Sequence, residues 1–451
     1  MPHYSKGLWV IAASLRFMSA QSTSSTDPGF EQYLFGDWWG VREKLANDGI
    51  HPTFIVVTDP FGNPTGGERR GFTDYTLIGL DIRLDTEMMG GWRGGQFTIG
   101  AAINFGNDLT TEYVGNTYPI QLASVATSQP RLTYLSYRQT FAEGKLDLLV
   151  GRLTINSLQG EEFIGSAYFK AFTSVGFDLL PQGIFLNSPG ANGYPATTWG
   201  GRLKYSPANN LYVQAGVYNG DPNQKNGAHH GLDLSVKGPL FAIGEVGLRW
   251  NYGDQDTGLA RNIKVGGYYD GGAYKTSDSG SQTTGTAKGL FGFYVLGDQQ
   301  LWRWTDDRHR RPVHPNNARL GDSERDRHLG VFGAFMAAPQ ARLNTVPYFF
   351  DAGVVAYGPT SKRPRDFAAL GFVYGSFQNG PLRTGELLVQ SDNEEAVEIT
   401  YGYTLRPGLL LQPALQYLLN PRGNPLISAT LPANGRVPNA LAAGINIVIN
   451  P

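Results

Sequence analysis

Strict alternation of apolar and polar residues recurs from residue 50 almost to the end of this chain, and it constrains the fold more than any other feature. Across residues 78–85, Ile78, Leu80, Ile82 and Leu84 share one face, while Gly79, Asp81, Arg83 and Asp85 share the other. Residues 396–405 set Val397, Ile399, Tyr401, Tyr403 and Leu405 against Ala396, Glu398, Thr400, Gly402 and Thr404. Residues 245–252 set Val246, Leu248, Trp250 and Tyr252 against Glu245, Gly247, Arg249 and Asn251. Shorter examples place Leu203 and Tyr205 opposite Arg202 and Lys204, and Ile263 and Val265 opposite Asn262 and Lys264. A period of two puts each set on its own side of a β-sheet.

Alternation alone also suits a soluble sandwich with a wet outer face. The number of segments argues otherwise. Candidate strands lie near 50–58, 74–89, 95–105, 129–141, 144–152, 196–206, 210–218, 242–252, 261–270, 288–304, 327–338, 346–357, 366–377, 395–406, 409–419 and 438–450. A closed single-chain bacterial barrel needs an even count, so a further segment, Leu232 to Lys237, is assigned to a loop and the expectation is about sixteen strands. The links alternate in length: tight ones such as 142–143, 207–209 and 407–408 on one side, long ones such as 106–128, 153–195 and 219–241 on the other. Short periplasmic turns and long external loops are the habit of outer-membrane barrels. Two links depart from it, the short outer 339–345 and the long, charged inner 305–326.

Composition fits the barrel. The 8 Trp, 23 Tyr and 24 Phe favour the ends of the apolar faces, where a membrane barrel carries aromatic girdles. The chain has 59 Gly for turns and close strand packing, and no Cys, which rules out a disulfide scaffold and thiolate metal sites. Its 37 basic and 38 acidic residues give no reason to expect a nucleic-acid partner. With apolar faces turned to lipid, Asp81, Arg83, Arg202, Lys204, Glu245, Arg249, Lys264 and Glu398 face the interior, where a water-filled lumen would keep them solvated.

Ahead of the barrel, Lys6, the apolar run Leu8 to Leu15 and the small pair Ser19-Ala20 read as a secretory signal over residues 1–21. Residues 22–49 are expected to form a linker and a short periplasmic helix, capped by Asp37, with Trp38, Val41 and Leu45 on one face and Gly49 at its end. Residues 50–451 form the barrel.

The run Gly36-Asp-Trp-Trp-Gly-Val-Arg-Glu-Lys-Leu-Ala-Asn-Asp-Gly-Ile50 resembles the N-terminal signature of the carbohydrate-selective porin (OprB) family, with Trp39 standing where that pattern has its second Gly. Val150-Gly-Arg-Leu153, Tyr194-Pro-Ala-Thr-Thr-Trp-Gly-Gly-Arg-Leu203, Tyr212 to Tyr218, Glu398 to Tyr403 and Leu411 to Pro421 resemble further family segments in the same order. The resemblance implies a sixteen-stranded bacterial outer-membrane barrel that passes monosaccharides and related small polar solutes by diffusion. The final residues Ile447 to Pro451 depart from the terminal aromatic usual in such barrels.

A sugar in a pore needs partners for its hydroxyls and flat apolar surface for its C–H face. Candidate lumen groups are Asp81, Arg83, Arg202, Lys204, Glu245 and Arg249, each of which either touches solute or sits in an ion-pair ladder on the wetted wall. The loop 153–195 holds Glu161, Glu162, Phe163, Tyr168, Phe169 and Phe172; it has the length to narrow the lumen with an aromatic track, or to stand outside as a lid. No cofactor or metal is expected. His229-His230 and His309 with His314 lack the partners and spacing of a metal site, and the adjacent Glu161-Glu162 do not face each other as glycosidase carboxylates must. The sequence has no nucleophile motif for a barrel lipase. Expected partners are sugars or related small polar solutes and outer-membrane lipid, the barrel being either a homotrimer or a monomer. The competing readings are a secreted carbohydrate-binding β protein without a pore, and a porin for organic or aromatic acids.

Overall fold

The computed structural model describes residues 33–121, 129–156, 163, 165–166, 168–177, 180–221, 228–251, 258–276, 285–304, 327–340, 343–377, 393–421 and 437–451. A short helix α1 (Val41–Asn47) leads into β1 (Ile50–Thr58), β2 (Phe61–Thr65), β3 (Gly71–Thr73), β4 (Tyr75–Asp85), β5 (Gly95–Gly106) and β6 (Arg131–Phe141). There follow β7 (Leu146–Leu153), helix α2 (Gly183–Asn187), β8 (Thr198–Ala208), β9 (Leu211–Asn219), β10 (Leu240–Trp250), β11 (Arg261–Thr276) and β12 (Gly285–Arg303). The last strands are β13 (His328–Ala337), β14 (Tyr348–Tyr357), β15 (Phe367–Ser376), β16 (Asn393–Arg406), β17 (Leu409–Leu419) and β18 (Ala440–Ile449).

These form one antiparallel sheet of 18 strands that closes on itself. The difference from sixteen lies in the first hairpin. One stave breaks at Asp59-Pro60 into β1 and β2, and its neighbour breaks at Asp74 into β3 and β4. Pro60 has no N–H to give the ladder; its carbonyl still accepts from Ile445 at 3.1 Å, and Asp59 N donates to Tyr75 O at 2.8 Å. Counted by stave, the barrel is a closed sixteen-stranded one. Beyond that split, most observed strands lie within a few residues of the alternation's bounds, the larger gains being at the outer ends of β11 and β12.

Closure falls between the first and last staves. β18 pairs with β17 over ten residue pairs, but with β1 only at Val56 to Thr58, and with β2 above that. The N-terminal segment covers the short seam: Leu34 N donates to Asn450 O at 2.7 Å, and the buried Arg42 of α1 donates to Pro451 O. The Arg42 guanidinium lies 3.6 Å from the Tyr33 ring centre and 3.8 Å from that of Trp38, a cation held between two aromatic faces.

The outer face is apolar along the staves, with Ile399 and Val265 both 56% exposed and Leu370 52% exposed. Soluble proteins leave no such continuous band open; a bilayer covers it. Phe97, Phe141, Tyr205, Trp302 and Tyr403 lie outward near the periplasmic ends, and Phe105, Tyr348 and Tyr417 near the external ends. They form the two girdles. Replacing Leu370 by Arg near the middle of β15 is expected to cost about 2–4 kcal/mol, as cations on a barrel's lipid face do at mid-membrane, read by denaturant titration of protein folded in vesicles.

The segment 232–237 is no strand, yet it completes the wall. β7 pairs with β6 only over Leu135 to Phe141, because the chain turns inward after Leu153. The residues that follow β9 come back toward the top of β6, where His230 Nδ1 lies 2.8 Å from Pro130 O. Asp233 O accepts from Arg152 Nη1 at 3.1 Å and from Trp199 Nε1 at 2.9 Å, and Ser235 O accepts from Asn219 Nδ2 at 3.1 Å. Leu232, Leu234 and Val236 alternate outward, which explains their strand-like pattern.

Candidate functional site

Inside the barrel, half of the charged residues expected to be solvated by an open lumen are covered. Glu398 is fully buried, Arg202 is 1% exposed, Lys264 2% and Glu245 3%. Two loops fold inward and lie against the wall from β11 round to β17, so the long loop between β7 and β8 narrows the barrel rather than standing outside it.

Carboxylates on the inner face of β16 hold these loops. Glu398 Oε1 accepts from Thr173 N at 2.7 Å and Thr173 Oγ1 at 2.9 Å, and its Oε2 accepts from Ser174 N at 2.9 Å. Four residues along the same strand, Glu394 accepts from Thr117 N at 2.7 Å and Tyr118 N at 3.2 Å, fixing the loop between β5 and β6. Spacing four on a strand keeps both carboxylates on one face. The neighbouring β17 adds Gln416 Nε2, which donates to Ile120 O at 2.8 Å and Thr173 Oγ1 at 2.9 Å, and Gln412 Nε2, which donates to Ala171 O at 3.1 Å. Further round, Asn187 at the end of α2 exchanges two hydrogen bonds of 2.7 Å with the backbone of Val346. Asp270 of β11 accepts from Gly190 N at 3.0 Å and from the Ser188 hydroxyl.

Aromatic packing completes the attachment, and here the expected stacking track is corrected. Phe163 and Tyr168 are buried, and Phe169 is nearly so. Tyr168 stacks on Tyr357 at 6.0 Å between ring centres and shares a 3.0 Å hydrogen bond with His328 Nε2. Burial pushes the Tyr168 phenol up, so it stays protonated. Phe172 and Phe177 stack at 4.3 Å and pack on Phe332. The wall is hollowed for them: a Cβ on Gly371 would lie 2.6 Å from both Phe172 and Phe177. These rings bond the loop to the wall; none offers a free face to a solute.

The other side of the barrel carries the charged candidates. Asp147 of β7 joins Arg138 of β6 and Arg202 of β8: Arg138 Nε donates to its Oδ2 at 2.9 Å, and Arg202 Nη1 lies 3.2 Å from its Oδ1. Arg202 is therefore a rung of an ion-pair ladder rather than a solute contact. Glu245 is equally occupied, accepting from Tyr212 OH at 2.7 Å, Gln214 Nε2 at 2.9 Å and Tyr294 OH at 2.9 Å. Lys264 donates to Gly165 O of the inward loop at 3.2 Å. Lys204 and Arg249 remain half-exposed, 4.8 Å and 5.1 Å from the centre of the Tyr212 ring. Asp81 and Arg83 on β4 are also half-exposed and point inward. Above them, Tyr194 of the long loop stacks on Tyr134 at 5.9 Å and meets the inner aliphatic strip of Ile55, Val57 and Leu77.

Glu161, Glu162, His309, His314 and the inner link 305–326 lie outside the described residues. Sequence reasoning passed over Asp147, Glu394, Asp270 and Arg42. Asp147 had a signal, since it interrupts the apolar Leu146, Leu148 and Val150 with period two; the loop anchors had none that a single strand could show.

A sequence profile of the carbohydrate-selective porin, OprB family matches residues 69–450. Porin B of Pseudomonas aeruginosa is 27% identical over 443 residues, covering 92% of this chain and 90% of that protein. A putative porin, QuiX, of Acinetobacter baylyi is 24% identical over 459 residues, covering 94% of this chain and 96% of its own length. Among solved structures, the high-pH structure of Pseudomonas putida OprB superposes with a TM-score of 0.76 at 21% identity, covering 95% of this chain and 100% of that one.

Proposed function

The chain belongs to the carbohydrate-selective porin, OprB family, and on that premise we propose how its passage sorts solutes. It is an outer-membrane sugar porin, a channel rather than an enzyme, and the pore-free secreted alternative falls away with the family. Monosaccharides and similar polar solutes cross by diffusion along the arc from β4 to β12, between the two inward loops and the wall. The observation that carries this is the stapling of both loops to β16 by Glu394 and Glu398, which leaves Asp81, Arg83, Lys204 and Arg249 among the half-exposed inward groups on the opposite side.

On this reading those four groups exchange hydrogen bonds with sugar hydroxyls and with ordered water, while Ile55 and Val57 beside Tyr194 offer aliphatic surface to the ring's C–H face. Each barrel holds its own passage, so a monomer and a trimer serve equally. Liposome swelling with a panel of neutral sugars tests the proposal: monosaccharides should enter faster than polyols of the same mass that lack a ring. Rates that follow mass alone would leave a pore but remove its preference for carbohydrate.

A further inference from the structure

The alternating segment between β9 and β10 leaves three aliphatic side chains in the open. Leu234 is 75% exposed, and Leu232 and Val236 are close behind. Single apolar residues at a surface are ordinary, but three on one side of five successive positions make a patch. The wall beneath is unusual too. Arg152 of β7 pairs directly with Leu135 of β6, whose partner on β5 is Ile99. Directly paired residues share a face, and Leu135 and Ile99 are exposed on the lipid side. Arg152 therefore leaves the outer side of the wall, yet it is 1% exposed. The segment lies over it. Arg152 Nη1 donates to Asp233 O, which also accepts from the indole of Trp199, the next residue in the same cross-strand row.

We propose that residues 232–236 lie in the acyl layer of the outer leaflet, as a strap across the outside of the barrel whose aliphatic side chains face lipid. Backbone in hydrocarbon must find its partners within the protein. The strap's polar groups turn to the wall or to one another: Asp233 O takes two donors, and Ser235 O accepts from Asn219. Ser235 N donates to the Asp233 carboxylate at 2.8 Å, and Gly238 N donates to Asn219 Oδ1 at 2.7 Å. The patch is continuous with the lipid-facing band at both ends. Leu135 borders it on one side; on the other, Leu240, the ladder partner of Asn219, is exposed, as is Val217. This continuity favours lipid over a second copy of the chain as the cover. It also explains how a guanidinium can stand in a lipid-facing row: bare, Arg152 would meet hydrocarbon, where a cation destabilises a barrel. The period of two thus has a cause other than strand pairing, with acyl chains on one side and a cation and an indole on the other. This surface is independent of the solute that crosses the lumen.

The chain has no cysteine, so single replacements report one position each. Full-length Leu232→Cys, Leu234→Cys and Val236→Cys proteins are labelled with bimane and reconstituted into phosphatidylcholine vesicles. Val265→Cys on the lipid face of β11 and Arg70→Cys in the exposed connection from β2 to β3 set the two limits. Phosphatidylcholine brominated in mid-chain should quench the strap labels at least about twofold more than the Arg70→Cys label, and iodide in the water should do the reverse. Reaction of the bare cysteines with a water-soluble maleimide should give the same ranking without a bulky label, slow on the strap and fast in the Arg70→Cys protein. Strap positions that behave like Arg70→Cys would overturn the inference and leave the segment in water. Shielding from both quenchers, with Leu234→Cys proteins cross-linking to one another, would overturn it in favour of a second copy.

Discussion

Replacing Glu398 by Ala is expected to release the long loop from β16, raise single-channel conductance and cost about 3 kcal/mol, since three donors lose their acceptor in a buried site. Thr173 N, Thr173 Oγ1 and Ser174 N have no water to turn to there, because Glu398 and Ser174 are both buried. The conservative Glu398→Gln keeps the volume but puts an amide N–H where one of these donors needs an acceptor, so it should act in the same direction with a smaller effect. Conductance in bilayers reads the pore, and limited proteolysis of the loop reads its attachment. An unchanged conductance in both variants, with the barrel folded, would show that the loop is held without this carboxylate.

The second large effect is expected at Asp147. Its removal leaves Arg202, whose side chain is fully buried, and Arg138 without their shared counter-charge. Breaking one partner of a buried ionic cluster costs about 3–5 kcal/mol, because the remaining charge keeps its desolvation penalty. Asp147→Ala should therefore lower the temperature at which the detergent-solubilised barrel loses its compact gel mobility. It should also make the passage more positive, moving the reversal potential under a KCl gradient toward chloride relative to the parent. A variant as stable as the parent would mean that water reaches Arg202 and takes over the role of the carboxylate.

Much of the architecture was written in the alternation. Sixteen staves, the inward direction of Asp81, Arg83, Arg202, Lys204, Glu245 and Arg249, and the parity of short and long links all follow from a period of two, which needs only neighbouring residues to be visible. The break at Asp59-Pro60 was open to the same reasoning, since a proline cannot donate within a ladder. The interior was not. Thr173 and Glu398 lie 225 positions apart, and nothing local to either says that they meet. The loop aromatics were misread for a related reason. Phe172 and Tyr168 have the composition of a sugar platform, and only glycines on distant strands, Gly371 among them, decide that the rings turn to the wall. Burial of Glu245 among Tyr212, Gln214 and Tyr294 likewise needs three strands to be placed before it can be seen.

The two loops that narrow the barrel leave it after β5 and β7, but their anchors stand on β16 and β17, near the far end of the chain. A polypeptide that adds strands in order therefore makes the narrowing segments long before it makes what holds them. Until β16 and β17 are in place, Glu394, Glu398, Gln412 and Gln416 are not there to hold the loops, and the long loop has only its earlier contacts, with Asp270 and Val346, to seat it. Closing the wall and setting the bore are thus one event in assembly, and a barrel stalled before its final strands would be both unsealed at its seam and unregulated in width.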